Sequence, residues 1–179
     1  AKGWVTSRDF ARAVLASEPY PVRGLVSFGA NPLLTKPNTP TLVPALKALD
    51  FYIHADMFLN PTAEYADLVL PVASPWERTG LAAGFQLGER GSDWLQLRHA
   101  VLPPLGESRS DTAIVFALAE RLGLGEHFFY GDQRSGLREV IARTGVSLED
   151  LEQHPEGFSL GLKTSYRSYL RDGLRTPTR

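Results

Sequence analysis

Three short runs of apolar residues, each ending in a polar or special residue, organise the first half of the chain: GLVSF (Gly24–Phe28), FYIHA (Phe51–Ala55) and DLVL (Asp67–Leu70). They read as strands, and the second and third are almost continuously apolar, as strands buried on both faces are. NPTAEYA between them is too short for a full crossover helix and predicts a single helical turn. Ahead of the first strand, Phe10, Val14 and Leu15 share a helical face, with Thr6 or Ser7 as cap, Asp9 in the first turn and Pro19 and Pro21 ending it. After it, the prolines of NPLLTKPNTP keep the chain extended until a helix carries Leu42, Leu46 and Leu49.

The pattern weakens from Val72 to Pro104, where GLAAG and GERGSD break the chain around one predicted strand, WLQLR. It returns at Ser110 or Asp111, either of which can cap a helix bearing Ile114, Leu118 and Leu122, closed by Gly123 and Gly125. Shorter helices are predicted over Arg134–Arg143 and Ser147–Gln153, the latter opened by Ser147 and Asp150 at capping-box spacing. The final TSYRSYLRDGLRTPTR is basic and aromatic without a pattern that closes a core. The expected fold is α/β: a mainly parallel sheet holding Leu25, Val26, Phe51, Ile53, Leu68 and Leu70, with helices on both faces, doubly wound and Rossmann-like. The expected division is an α/β domain over residues 1–162 and a connector over 163–179.

Composition narrows the function classes. At 179 residues, 43% hydrophobic and 22% charged, the chain is ordinary globular material, and a net charge of −1 argues against nucleic acid or an anionic membrane surface as partner. With no cysteine it can form no disulfide, cysteine-ligated zinc site or iron–sulfur cluster. No apolar run reaches the roughly 20 residues that span a bilayer, so direct membrane insertion is not expected. The start, AKGWVTSRDF, has neither a signal-peptide core nor an initiator methionine, which fits a piece of something longer.

GxGxxG, Walker, HExxH and GxSxG motifs are all missing. His54, His99, His127 and His154 lack helical ligand spacing and read as surface or hydrogen-bonded core groups, so neither a metal site nor a catalytic residue is expected. What remains is the set of strand ends. In an open parallel sheet, ligands bind in the crevice beyond the carboxyl ends of the strands, and here Gly29-Ala30-Asn31-Pro32, Asp56 and Pro71 follow three consecutive strands. Each has a plainer reading: a tight turn for FGANP, a helix cap for Asp56, a solvated charge for Arg78 further on. Their joint placement makes one ligand site.

YPVRGLVSFGANPLL, LDFYIHADMFLNPTAEYADLVLPVASPWERTG and PLGESRSDTAIVFALAERLGL, in that order, resemble the molybdopterin-dinucleotide oxidoreductases of the dimethyl sulfoxide reductase type. The resemblance covers most of the chain. It implies the third of four domains of a large catalytic subunit, gripping one of two guanine dinucleotides of a molybdopterin cofactor that carries molybdenum or tungsten. By position, Gly29 and Asn31 resemble the turn that approaches the cofactor. Ala55 and Asp56 resemble the guanine-side contact, Arg78 sits where a cation is usual, and Asp111 matches an acidic contact in GESRSD. After Glu77 the family pattern is departed from in GLAAGFQLGERGSDWLQLR. Implied partners are the remaining domains of the same subunit and an iron–sulfur electron-transfer subunit, with cytoplasmic and periplasmic locations both open.

The chemistry of these residues agrees. A carboxylate accepts two hydrogen bonds from the N1–H and N2–H2 edge of guanine, whereas adenine would face it with a lone pair. Arginine suits phosphate oxygens, and a glycine turn admits them close to the backbone. Asp56 has no structural partner evident in the sequence. A non-redox doubly wound module binding a nucleotide or sugar phosphate is the competing expectation.

Overall fold

The computed structural model describes residues 5–6, 8–84, 89–163, 165–174 and 176. In chain order the first elements are α1 (Phe10–Ala16), β1 (Gly24–Phe28), α2 (Pro32–Thr35), α3 (Thr39–Lys47), β2 (Phe51–Asp56) and β3 (Leu68–Pro71). Then come β4 (Gly80–Ala83), α4 (Glu89–Ser92), β5 (Trp94–Arg98), α5 (Asp111–Arg121), α6 (Gln133–Ile141), α7 (Leu148–Gln153), β6 (Phe158–Ser159) and α8 (Tyr169–Asp172). The chain divides into two compact units: the described residues up to Arg78 with Ala100–Gly131, and Thr79–His99 with those from Asp132 on.

In the first unit β1, β2 and β3 form a parallel sheet in sequential order. Leu25 pairs with Tyr52, Ser27 with His54 and then Val69, and Asp56 with Pro71. All three strands therefore end at one edge. An isolated parallel bridge from Val72 to Arg109 extends that edge by one more segment. Side chains alternate between the faces of a strand, so Leu25, Ser27, Tyr52, His54 and Asp56 share one face, and Val26, Phe28, Ile53 and Leu68 the other.

The first face carries the core of this unit. Leu42 and Leu46 of α3 bury Tyr52, with Phe10, Leu25, Leu33, Leu49, Tyr65 and Ala66 packed around them. The helical spacing of Leu42, Leu46 and Leu49 is thus core spacing, and Pro44 leaves α3 intact over its short length. NPTAEYA forms the expected single turn, a 3-10 turn over Pro61–Tyr65 capped by Asn60. Thr6 caps the turn that leads into α1: its Oγ1 accepts from Asp9 N at 3.3 Å and donates to the Asp9 carboxylate at 2.5 Å, and the regular helix begins behind Asp9. Ser7 lies outside the described residues.

Burial on both faces is not observed. Val26, Phe51 and Leu68 are about half exposed. Val26, Phe28, Ile53, Leu68 and Leu70 line a groove of about 580 Å³ with Ile114, Ala117 and Leu118 of α5, which covers this face incompletely. The exposure of Leu118 and Leu122 follows, since α5 buries only part of the stripe its spacing predicts.

The second unit has an antiparallel sheet of its own, which the expected fold did not include. WLQLR is the strand β5, and it pairs with β4 on one side and β6 on the other. GLAA is a strand because its short side chains pair across from Leu95–Arg98, a tertiary match no local pattern carries. Leu95 and Leu97 pack against Ile141 of α6 and Leu148 and Leu151 of α7 to make a separate core. Helix α7 has the capping box: Ser147 Oγ accepts from Asp150 N at 3.0 Å, and Asp150 Oδ2 accepts from Ser147 N at 3.1 Å. Residues 85–88 of the glycine-rich break lie outside the described set.

Gly157 sits where β5 leaves no room. Its φ is +78°, and an added Cβ would lie 2.5 Å from Leu95 O and 2.7 Å from Trp94 Nε1. Gly29 also has a positive φ, +54°, but nothing lies within 4 Å of its Cβ position. Gly157→Ala is therefore expected to destabilise the chain well beyond the roughly 1–2 kcal/mol of left-handed strain, and Gly29→Ala by that strain alone. Chemical denaturation of both variants checks the order, and equal losses would contradict it.

Candidate functional site

The carboxyl edge of the parallel sheet gathers most of the residues singled out in the sequence. Gly29 N donates to Ala55 O at 2.9 Å, which joins the first turn to the end of β2. Ala55 is fully buried with that carbonyl engaged, so it spaces Gly29 from Asp56. The Gly29 N–H is engaged as well, and any close approach of an anion falls to the turn that follows it.

Asp56 is neither free nor a helix cap. Its Oδ1 accepts from Phe58 N at 3.1 Å, and its Oδ2 accepts from Asn60 Nδ2 at 3.0 Å. The expectation that it lacks structural partners is thus corrected: a carboxylate following a strand end meets the backbone N–H two residues on, an Asx turn. Only 12% of the side chain remains exposed. Each oxygen still has a lone-pair direction that these bonds leave over.

Asn60 ties Asp56 to Asn31. Asn60 Oδ1 accepts from Thr62 N at 3.0 Å, and Thr62 Oγ1, fully buried, donates to Asn31 Oδ1 at 2.7 Å. The Asn31 side chain is thereby fixed, and it does not cap α2.

The same Asn60 reaches a group the sequence reading left aside. His54 is fully buried, with Nε2 at 3.2 Å from Asn60 Nδ2. Because Thr62 and Asp56 fix which end of the Asn60 amide carries hydrogens, Nε2 must accept, and the imidazole is the neutral Nδ1–H tautomer. Nδ1 then donates towards Tyr52 Oη at 2.7 Å and Ser27 Oγ at 3.0 Å, and the two hydroxyls are themselves hydrogen-bonded at 3.0 Å. Tyr52, His54, Asn60 and Ser27 were not among the candidates. Their signal is the alternation Tyr-x-His-x-Asp along FYIHAD, which sets polar groups on one face of a strand that otherwise reads as apolar.

Arg78 and Asp111 form a second pair on the same unit. Arg78 Nη2 lies 3.6 Å from Asp111 Oδ2, and Asp111 opens α5 directly behind its cap, Ser110, whose Oγ accepts from Ala113 N at 3.1 Å. The Val72–Arg109 bridge carries this helix start to the sheet edge: Ala73 N donates to Arg109 O at 2.9 Å, and Arg109 N to Pro71 O at 3.2 Å. Glu77, also absent from the candidates, sets the stretch before Arg78. Its carboxylate accepts from Ser74 N at 2.7 Å and Leu105 N at 2.9 Å, and these backbone bonds, that from Ser74 foremost, hold it below the usual carboxylate range.

Comparison with known proteins gives this edge its context. A family model described as molybdopterin oxidoreductase matches residues 4–121, which include the whole parallel sheet and α5. The chain belongs to the molybdopterin oxidoreductase family. It is 38% identical over 119 residues to the F420-dependent formate dehydrogenase subunit alpha of Methanocaldococcus jannaschii, covering 66% of this chain and 17% of that protein. It is 34% identical over 128 residues to the assimilatory nitrate reductase catalytic subunit of Bacillus subtilis, covering 70% and 17%. The solved acetylene hydratase from Pelobacter acetylenicus superposes with a TM-score of 0.69 at 28% identity, over 82% of this chain and 20% of that one. The chain thus spans about a fifth or less of the length of these relatives.

The family implies a molybdopterin cofactor with molybdenum or tungsten, and two features of the edge fit such a group. Arg78 Nε is buried with no hydrogen-bond partner among the described residues, so a phosphate oxygen would satisfy it. The open space at Gly29 is the second, because a ligand can approach that turn without meeting a side chain. Among the described residues no group of three or more His, Cys, Asp or Glu could hold a metal ion. No helix among them is long and apolar enough to cross a membrane.

Burial pushes the His54 imidazole below the ordinary histidine value, and the neighbouring Asp56 carboxylate only partly offsets this. With the folded value depressed, the unfolded chain binds the proton first as pH falls. The contribution of His54 to stability is whole above about pH 6.5 and is lost on acidification through the folded value. The melting temperature is therefore expected to fall more steeply between about pH 7 and pH 5 in the native protein than in His54→Gln. Parallel curves would show that His54 titrates alike in both states.

Proposed function

We propose that this chain is a cofactor-binding part of a molybdenum- or tungsten-dependent oxidoreductase, holding the guanine dinucleotide end of the molybdopterin at the carboxyl edge of its parallel sheet. The observation that carries the reading is the Asp56 carboxylate. It stands at the end of the central strand β2, fixed by two hydrogen bonds, with acceptor directions left over for the N1–H and N2–H2 edge of guanine. Gly29 and Asn31 form the turn that lets the dinucleotide close to the backbone. Ala55 sets the spacing of that turn from Asp56. Arg78, through its unpaired Nε, takes a phosphate oxygen, and Asp111 holds the arginine and supplies the acidic contact.

The fold that serves this role is, in the same reading, a doubly wound Rossmann-like arrangement around the parallel β1–β3 sheet, within an α/β domain over residues 1–162. The placement of α3 against Tyr52 and of α5 beside the Val26 face supports it. Residues 163–179 act as a connector. The partners are the remaining domains of a large catalytic subunit and an iron–sulfur electron-transfer subunit. The cofactor supplies the redox chemistry, and the residues of this chain bind and orient it. The competing non-redox nucleotide or sugar-phosphate module is not favoured by the family to which the chain belongs.

The test is made in the enzyme that contains this chain. Acid hydrolysis of the purified holoenzyme should release GMP as its nucleotide. Asp56→Asn replaces one acceptor oxygen by a donor facing guanine N–H groups, and it should weaken retention of the cofactor by about 2–4 kcal/mol. Because Asp56 also holds Phe58 and Asn60, some loss of thermal stability accompanies it. Release of AMP or CMP instead, or full GMP content in the Asp56→Asn enzyme, would overturn the guanine assignment.

A further inference from the structure

The hydrogen bonds behind Asp56, partly buried at Asn60 and fully buried at His54, form one continuous chain in which each donor is fixed by the next. Thr62 N donates to Asn60 Oδ1 at 3.0 Å, so the two hydrogens on Asn60 Nδ2 are left for Asp56 Oδ2 at 3.0 Å and His54 Nε2 at 3.2 Å. His54 can take its share only while Nε2 is bare. Asp56 Oδ2 lies 3.7 Å from that nitrogen, beyond hydrogen-bond reach.

We propose that His54 and Asn60 are positioning residues that aim the Asp56 carboxylate at a guanine edge, and that protonation of His54 turns it away. The proposal rests on the reading of Asp56 as the guanine contact. A proton on Nε2 would face Asn60 Nδ2 donor to donor and draw Asp56 Oδ2 into an ion pair with the imidazolium. The Asn60 amide would then have to turn, and it would lose its bond from Thr62 N. The carboxylate would move inward and give up the outward lone pairs that two guanine N–H groups need.

The surroundings leave Asp56 as the charged group that responds. From β1, His54 faces Ser27; from β3, the apolar Val69 is its register neighbour. On its own strand it meets Tyr52, whose hydroxyl burial holds neutral by pushing its pKa up. Asp67 is engaged elsewhere, accepting from Tyr52 N at 2.7 Å. From α3, the apolar Leu42 and Leu46 pack on Tyr52.

GMP and AMP, titrated separately into the protein from about pH 5 to about pH 8, test this. Circular dichroism at each pH keeps to folded protein, and side-chain ¹⁵N spectra of histidine report the tautomer. The expected result is a bare Nε2 on His54 near neutral pH and a preference for GMP over AMP that falls about tenfold, the scale of one misaligned charge-assisted contact, as His54 protonates. In His54→Gln the amide oxygen still accepts from Asn60 but cannot titrate, so the preference should become independent of pH. In Asn60→Ala it should be reduced throughout. A GMP preference that is independent of pH in the native protein, or unaltered in Asn60→Ala, overturns the positioning role and leaves Asp56 as guanine contact. The absence of any GMP preference at every pH overturns the reading of Asp56 itself, and the relay with it.

Discussion

The structure depends on an inversion along β2. In FYIHAD the face carrying Tyr52 and His54 is the buried one, and the face carrying Phe51 and Ile53 is the more open. Burying two polar side chains under α3 is tolerable only if each of their donors and acceptors is met, because an unmet group in the interior costs about 1–3 kcal/mol. Ser27 meets Tyr52, Tyr52 meets His54, and His54 meets Asn60. The loop after β2 is therefore bound to fold back: Asn60 is the group that closes the chain of donors, and Asp56 is held as a consequence.

That constraint explains why the carboxyl edge is well defined although it is built from loops. Asn60 caps the 3-10 turn and fixes Thr62, which fixes Asn31 in the turn after β1. Two turns from different strands are locked together by the Thr62–Asn31 hydrogen bond. The other half of the edge has its own anchor in Glu77, whose carboxylate ties Ser74 to Leu105, and in the Val72–Arg109 bridge that brings in α5. Loops that carry function are generally mobile, and here carboxylate and amide hydrogen bonds, most of them partly buried, replace the missing apolar contacts.

Much of this was legible in the sequence, and the limits have physical causes. β1 matches its apolar run residue for residue, β2 runs one residue further, β3 is shifted by one residue to Leu68–Pro71, and the capping box at Ser147 was readable because it is local chemistry. The antiparallel sheet was not, since GLAA has no pattern of its own and becomes a strand only opposite Leu95–Arg98. The strand ends pointed to Asp56, Asn31 and Arg78, but what holds each of them did not show. Thr62 lies 31 positions from its partner Asn31, and Leu105 lies 28 from Glu77. The histidine was read by its spacing to other histidines, when its meaning lay in the alternation with Tyr52 and Asp56.

In the guanine contact proposed for Asp56, fixing the carboxylate would matter more for choosing a base than for binding one. A free aspartate rotates about its side-chain bonds and can offer one oxygen to many donors, so it separates guanine from other bases weakly. Held at Oδ1 by Phe58 N and at Oδ2 by Asn60, Asp56 has few directions left, and in the proposed contact those are the ones that would meet the two N–H groups of guanine. Adenine, with an acceptor at N1, would leave a lone pair of a nearly buried carboxylate facing another lone pair, a penalty the rigid loop could not relieve by turning away. Selectivity of this kind comes from what the site cannot do. Of the two hydrogen bonds that restrain Asp56, the one from Asn60 ends a chain that begins at Ser27 and His54, inside the sheet.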